Sequence, residues 1–235
     1  MSRHATIATV LRTALPAAAI VLLAATCTTD AYEKGEGTYS QMQAELVEAY
    51  SSADGSITHV TTDDDRHLQL DKPYTAKWTT TPDTTYRALL YYNKVETGGS
   101  TQAQVVSLSQ VLTANIHHID YFKKGVKQDP VKMESLWMGK NGKYLNLSLL
   151  LMIGNTSADD NKSRHVLGMA QDTIITHPNG LRTCHLQLYH DQGGVPEYYS
   201  QRSILSIPVA HVQADSVQIT INTYDGTFTR TVVKK

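Results

Sequence analysis

From Ile57 to Val233 the chain is divided into short segments in which apolar and polar residues alternate, each bounded by turn residues. Alternation at period two buries one face of a strand, whereas a helix needs apolar residues three and four apart. The clearest segments are Tyr86 to Val95, Tyr144 to Ile153, Leu181 to His190 and Val217 to Thr223. Turns are marked by Pro82-Asp83, Gly98-Gly99, Asn141-Gly142, Gly193-Gly194 and Asp225-Gly226. Composition agrees: 13 Tyr stand against 2 Phe and 2 Trp, and tyrosine suits half-exposed strands where the ring packs and the hydroxyl stays wet. Such a chain is all-β. About five short strands before residue 114 predict a small barrel, and the spacing after 115 predicts a sandwich of six or seven strands. Thr38 to Ser52 reads as a strand with Met42, Ala44, Leu46 and Tyr50 on its apolar face, although AELVEAY also fits a short helix. The acidic triplet Asp63-Asp64-Asp65 reads as a solvated turn, and the basic stretch Asp120 to Lys132 as a solvated connector.

The amino terminus has a different character. Arg3 and Arg12 precede an apolar run from Ala14 to Ala25, too short for a membrane span, and Cys27 follows Ala24-Ala25-Thr26. This resembles the lipobox of bacterial lipoproteins. The resemblance implies a signal peptide over 1–26, acylation of Cys27 and a polar tether over 27–37. The barrel domain would then span 38–114 and the sandwich 115–235. It also implies an outer-membrane lipoprotein, periplasmic or surface-facing, whose membrane partner is reached through acyl chains on Cys27. Ordinary signal cleavage nearby, with Cys27 left as a free or disulfide-bonded thiol in a soluble protein, is the other reading. Only one further cysteine exists, Cys184, so no disulfide framework is visible.

Several residues in the second half carry a family resemblance. They are Trp137-Met138-Gly139, Tyr144-Leu145-Asn146-Leu147, Leu186 through Asp191, and Asp215-Ser216-Val217 with Ile219 and Ile221. With the lipobox, these are similar to the NigD-like lipoproteins. The resemblance implies an OB-like β-barrel followed by an immunoglobulin-like β-sandwich, no established enzymatic activity, and a role like immunity or accessory service in the cell envelope.

Charge and motifs narrow the chemistry. Thr38 to Leu112 holds five basic and nine acidic residues, a balance that repels phosphates and excludes nucleic acid as a partner. Residues 113–235 carry 13 basic and 10 acidic residues, with Lys123, Lys124, Lys127 and Lys132 grouped where they would suit anionic headgroups or an acidic partner. No metal is expected: His185 and His190 point to opposite faces of one strand, and neither the acidic stretch from Asp63 nor that from Asp159 has the Gly and Glu of a calcium loop. No cofactor is expected either, because no phosphate-cradling glycine loop occurs. Catalytic residues number none, since no nucleophile elbow is present and Cys184 shares a core face with Leu186 and Leu188. Asn146, inside the most apolar strand, needs a hydrogen-bond partner at a bulge or turn. Trp137 is a core anchor or a ligand platform. A possible binding surface draws on Trp137, on His190 and Asp191 at a strand end, and on the pairs Tyr91-Tyr92 and Tyr198-Tyr199, each placing one ring outward. The expected partner is another envelope or extracellular protein, or a glycan. A carbohydrate- or small-ligand-binding module is the alternative, and a hydrolase without recognisable motifs a further one.

Overall fold

The structure, a computed structural model, describes residues 41–154 and 164–234. Five strands form a closed barrel: β1 (Gln43–Ser51), β2 (Ile57–Thr62), β3 (His67–Tyr74), β4 (Thr85–Thr97) and β5 (Ser100–Gln110). Their order is β1-β2-β3-β5-β4, with β4 returning to β1. Only β3 and β5 run parallel, at Leu70 opposite Ala103, which is the strand order of an OB barrel. The lumen is filled by Val47, Ala49, Ile57, Val60, Leu70, Ala88, Leu90, Tyr92, Ala103 and Leu108. Small residues on β1, β4 and β5 leave room for Tyr92.

β1 is a strand, but its lumen face is Val47 and Ala49 rather than the set at Ala44, Leu46 and Tyr50. Leu46 is nevertheless buried, because the second half of the molecule covers that side of the barrel. Both faces of β1 therefore carry apolar residues, which misleads a reading that assumes one wet face.

The remaining strands form two packed sheets. They are β6 (Leu112–Thr113), β7 (Ile116–His118), β8 (Lys132–Met138), β9 (Tyr144–Ile153), β10 (Val166–Thr176), β11 (Arg182–Asp191), β12 (Tyr199–Pro208), β13 (Ser216–Thr223) and β14 (Gly226–Val233). One sheet runs β14-β13-β11-β10-β7 and the other β6-β12-β9-β8. Seven strands are long, as the spacing predicts. The two short ones come from the chain as it leaves the barrel: β6 joins one sheet, and β7 joins the other after two residues. Ala114, between them, is buried and donates its N–H to Ser206 O at 3.0 Å.

Alternation builds the sandwich core. Leu145, Leu147, Leu149 and Leu151 of β9 meet Cys184, Leu186 and Leu188 of β11 and Val217, Ile219 and Ile221 of β13. Cys184 is fully buried, and burial pushes its thiol pKa up. The basic stretch is not a free connector. Val131 is buried, its N–H bonds Asn222 O at 3.1 Å, and Asp129 N–H bonds His190 O at 3.0 Å, so the segment is strapped along β11 and β13. Its lysines stay outside, while Val131 is fully and Phe122 and Asp129 are partly drawn in.

Candidate interaction site at the barrel–sandwich joint

The β2–β3 hairpin tip is Asp63-Asp64-Asp65-Arg66. Asp65 adopts φ 59°, a left-handed conformation that short polar residues tolerate. Thr62 fixes the tip: its hydroxyl donates to Asp64 and accepts the Arg66 N–H at 3.1 Å. Facing it is the turn between β8 and β9, where Gly142 supplies φ 69°.

The tip is no solvated turn; its carboxylates tie the two halves together. Asp63 receives both ends of the Arg87 guanidinium, Nη1 to Oδ1 at 2.6 Å and Nη2 to Oδ2 at 2.7 Å. Asp65 accepts from Asn141 Nδ2 at 3.1 Å, and the Asn141 N–H donates to Asp63 O at 2.7 Å. Gly139 permits this approach, since a Cβ there would stand 3.0 Å from Asp63 Oδ2.

Arg87 projects from β4 out of the barrel, and its side chain is 2% exposed. Its Nε donates to Ser206 Oγ at 3.0 Å and its Nη2 to Asn146 Oδ1 at 3.3 Å, while the guanidinium lies 4.1 Å over the Tyr144 ring. Asn146 also accepts from Ser206 Oγ at 2.7 Å and donates to Asp63 Oδ2 at 3.3 Å. The hydrogen bonds that Asn146 requires thus come from Ser206 on the neighbouring strand, from the buried Arg87 of the barrel and from Asp63 in the facing turn, not from a bulge. Beside this pair, Glu48 accepts from Tyr144 Oη at 3.0 Å and Lys143 Nζ at 2.9 Å. Burial, then the Glu48 charge, pushes the Tyr144 pKa up to about 12. The Arg87–Asp63 pair is internal to the barrel; it is the bonds of Arg87 to Ser206 and Asn146, of Asp63 and Asp65 to Asn146 and Asn141, and of Glu48 to Lys143 and Tyr144 that tie the barrel to the sandwich.

A cleft of about 380 Å³ opens beside the joint. Ala44, Leu46, Leu89 and Met138 contribute its apolar lining. Charged groups occupy the rim: Arg66 pairs with Glu45 at 2.7 Å and with Asp64 at 3.0 Å, and Lys140 lies 3.7 Å from Asp64. The Glu45 bond raises the Arg66 pKa further above its ordinary value, and the Thr62 hydroxyl holds Asp64 below its own. Trp137 stands in this cleft and is 36% exposed. It escapes the core because β8 is an edge strand whose outer face is only partly covered.

The other candidate residues are not brought here. Tyr92 is fully buried in the barrel, its hydroxyl donating to Gln43 Oε1 at 2.8 Å, so it belongs to no surface. A closed barrel turns one strand face entirely inward, and Tyr91, on the other face, is half-buried. His190 is also removed from the surface, at 1% exposure. Its Nδ1 meets Asp129 O at 2.8 Å and its Nε2 meets His165 Nδ1 at 2.9 Å. Burial pushes its pKa down. Asp191 shapes the turn, accepting the Gly193 N–H at 3.0 Å and pairing with Lys127 at 2.7 Å. Tyr198 and Tyr199 are both exposed. Tyr198 precedes β12, so strand alternation does not govern it. Tyr199 starts β12, whereas Ser206 at the joint lies seven residues on, about 23 Å at strand rise. Cys27 lies outside the described residues.

The residues that organise the joint, Arg87, Asp63, Arg66 and Lys140, escape motif reasoning. One signal existed: a charge inside the apolar strand Tyr86 to Val95, like Asn146 inside Tyr144 to Ile153, requires a partner. Among the described residues no group of three His, Cys, Asp or Glu could hold a metal ion, and no helix is long and apolar enough to cross a membrane.

Residues 115–234 match the NigD-like C-terminal beta sandwich domain. A NigD-like immunity protein from Bacteroides caccae has a similar structure, with a TM-score of 0.63 and 25% identity over 82% of this chain and 97% of its own. A protein of unknown function from Bacteroides vulgatus matches at TM-score 0.62 and 13% identity, covering 83% of this chain and 91% of its own. A candidate lipoprotein from Bacteroides fragilis matches at 0.57 and 15%, covering 83% and 98%. The last two likenesses show the fold alone. Comparison with curated proteins gives no match.

Proposed function

Because this chain belongs to the NigD-like family, we propose that it is a non-catalytic lipoprotein of the cell envelope that acts by contacting another protein through the cleft at the barrel–sandwich joint. Residues 1–26 serve as signal peptide, acyl chains on Cys27 hold the mature chain to the outer membrane, and 27–37 form the tether. The barrel then follows the tether, with the sandwich beyond it. The observation that carries the reading is Trp137: a half-exposed indole in an apolar cleft, ringed by Arg66, Asp64 and Lys140. Exposed tryptophan beside arginine is the composition of interface hot spots. A partner would place an apolar side chain against the indole and a carboxylate near Lys140, which is three-quarters exposed and only loosely held by Asp64. The similar Bacteroides caccae protein is described as an immunity protein, which supports a role in neutralising or accommodating another protein.

The test is affinity capture from native envelope with wild type and Trp137→Ala, run beside a glycan array. We expect a discrete protein retained by wild type and lost with the indole. Equal retention by both forms, or glycan binding through Trp137 with no protein retained, would overturn the reading.

A further inference from the structure

A second concavity, of about 500 Å³, lies entirely on the sandwich beside edge strand β7. Its wall is a continuous run of rings. His117 of β7 stacks on Tyr121 at 4.1 Å and 14°, Tyr121 meets Phe122 edge-on at 5.4 Å, and Phe122 stacks on Tyr189 of β11 at 4.8 Å. Gly168 of β10, opposite Tyr189, leaves the floor open: a Cβ there would only touch Tyr189 at 3.6 Å and Phe122 at 3.9 Å. The chain then turns tightly, Lys123 N–H to Tyr121 O at 3.0 Å and Gly125 N–H to Phe122 O at 2.8 Å, with Gly125 at φ 83°. That turn sets Lys123 and Lys124 at the groove's edge. Among the described residues neither lysine has an ion-pair partner, whereas nearby Lys127 is held by Asp191.

We propose that this groove binds an anionic sugar, a uronate- or sulfate-bearing oligosaccharide. Aromatic faces carry negative quadrupole charge and receive the C–H face of a pyranose ring, and Tyr121 offers the most exposed surface, at 63%. The two lysines supply the charge complement for carboxylate or sulfate. The size falls within the range of small-ligand sites. Concavity disfavours a lipid surface, which needs its contact residues on a convex face. A peptide adding a strand would find only three residues of edge on β7. This site shares no residue with the Trp137 cleft and stands independently of the protein-contact reading.

The experiment is titration calorimetry on the full-length chain in detergent. Its probes are a galacturonate tetramer, its neutral galactose counterpart, a heparin-derived tetrasaccharide, a glutamate-rich peptide and phosphatidylglycerol vesicles. Saturable binding of the uronate or the sulfated sugar is expected, absent for the neutral sugar and weakened by salt. Lys123→Glu with Lys124→Glu should reduce affinity at least about tenfold, and Tyr121→Ala about tenfold. Gly168→Leu, at an ordinary backbone conformation, should fill the groove and abolish binding, while Trp137→Ala leaves it unchanged. Equal binding of the neutral sugar, indifference to Tyr121→Ala and the lysine reversals, binding of peptide or vesicles alone, or no binding of any probe would overturn the proposal.

Discussion

Arg87→Met is the sharpest perturbation of the joint. Methionine keeps most of the aliphatic stem but deletes the bidentate bond to Asp63, the bonds to Ser206 and Asn146, and the stacking on Tyr144. It also leaves Asp63 and Asn146 facing an apolar side chain. Losing one partner of a buried pair costs about 3–5 kcal/mol. Asp63 is 18% exposed and can be partly rehydrated, so the lower end, about 3 kcal/mol, is expected. For a domain of this size that corresponds to a melting point lower by about 6–12 °C. The chain has two tryptophans, Trp78 on the barrel and Trp137 on the sandwich. Trp137→Phe and Trp78→Phe backgrounds therefore report each domain's urea unfolding by fluorescence. With Arg87 present the two transitions should coincide; in Arg87→Met they should separate, because the barrel alone loses its Asp63 pair while the bonds of Arg87 to Ser206, Asn146 and the Tyr144 ring no longer couple it to the sandwich. Arg202→Met, which breaks the exposed pair with Glu134, should leave the joint intact and serves as control. Coincident transitions in Arg87→Met with a loss under about 1 kcal/mol would refute the reasoning.

Three further outcomes follow from the same structure. Tyr144 has its folded pKa raised to about 12 from an ordinary 10, so the fold favours the neutral phenol. That contribution is fully present below about pH 10 and lost as pH rises toward 12; a rise from 10 to about 12 corresponds to about 2.7 kcal/mol, which solvent screening at this half-buried phenol reduces to about 2 kcal/mol or less, and pH-dependent urea melts of Tyr144→Phe should show a shallower alkaline limb. Gly139→Ala pushes a methyl against the Asp63 carboxylate and should lower the unfolding free energy by about 1 kcal/mol, read by urea denaturation. Cys27→Ser should abolish incorporation of radiolabelled palmitate and release the chain from the membrane fraction; unchanged labelling would remove the lipid anchor from the account.

The fold was legible where burial is one-sided. β11 and β13 alternate against a single core, and the sandwich turns carry Gly, Asn and Asp. β6 and β7 were not legible, because two or three residues cannot show a period. The face of β1 was misassigned for the opposite reason: Leu46 is apolar and buried, but against the cleft and not inside the barrel. The joint was half legible. Asn146 announced an unmet hydrogen-bonding need, yet its partner Arg87 lies 59 residues away in sequence. Asp63 reaches Arg87 across 24 residues, so a triplet of aspartates looked like a solvated turn. For Trp137 the sequence left core anchor and ligand platform both open, and its place on an edge strand decides for exposure.

Contact at the Trp137 cleft is tested most directly by photocrosslinking in the native envelope, with a photoreactive side chain at Lys140 and, separately, at Tyr224 on the β13–β14 turn, which is also exposed. The account predicts one discrete adduct from position 140, lost when Trp137 is alanine, and none of the same mass from position 224. No adduct at 140, or the same adducts from both positions, would contradict it.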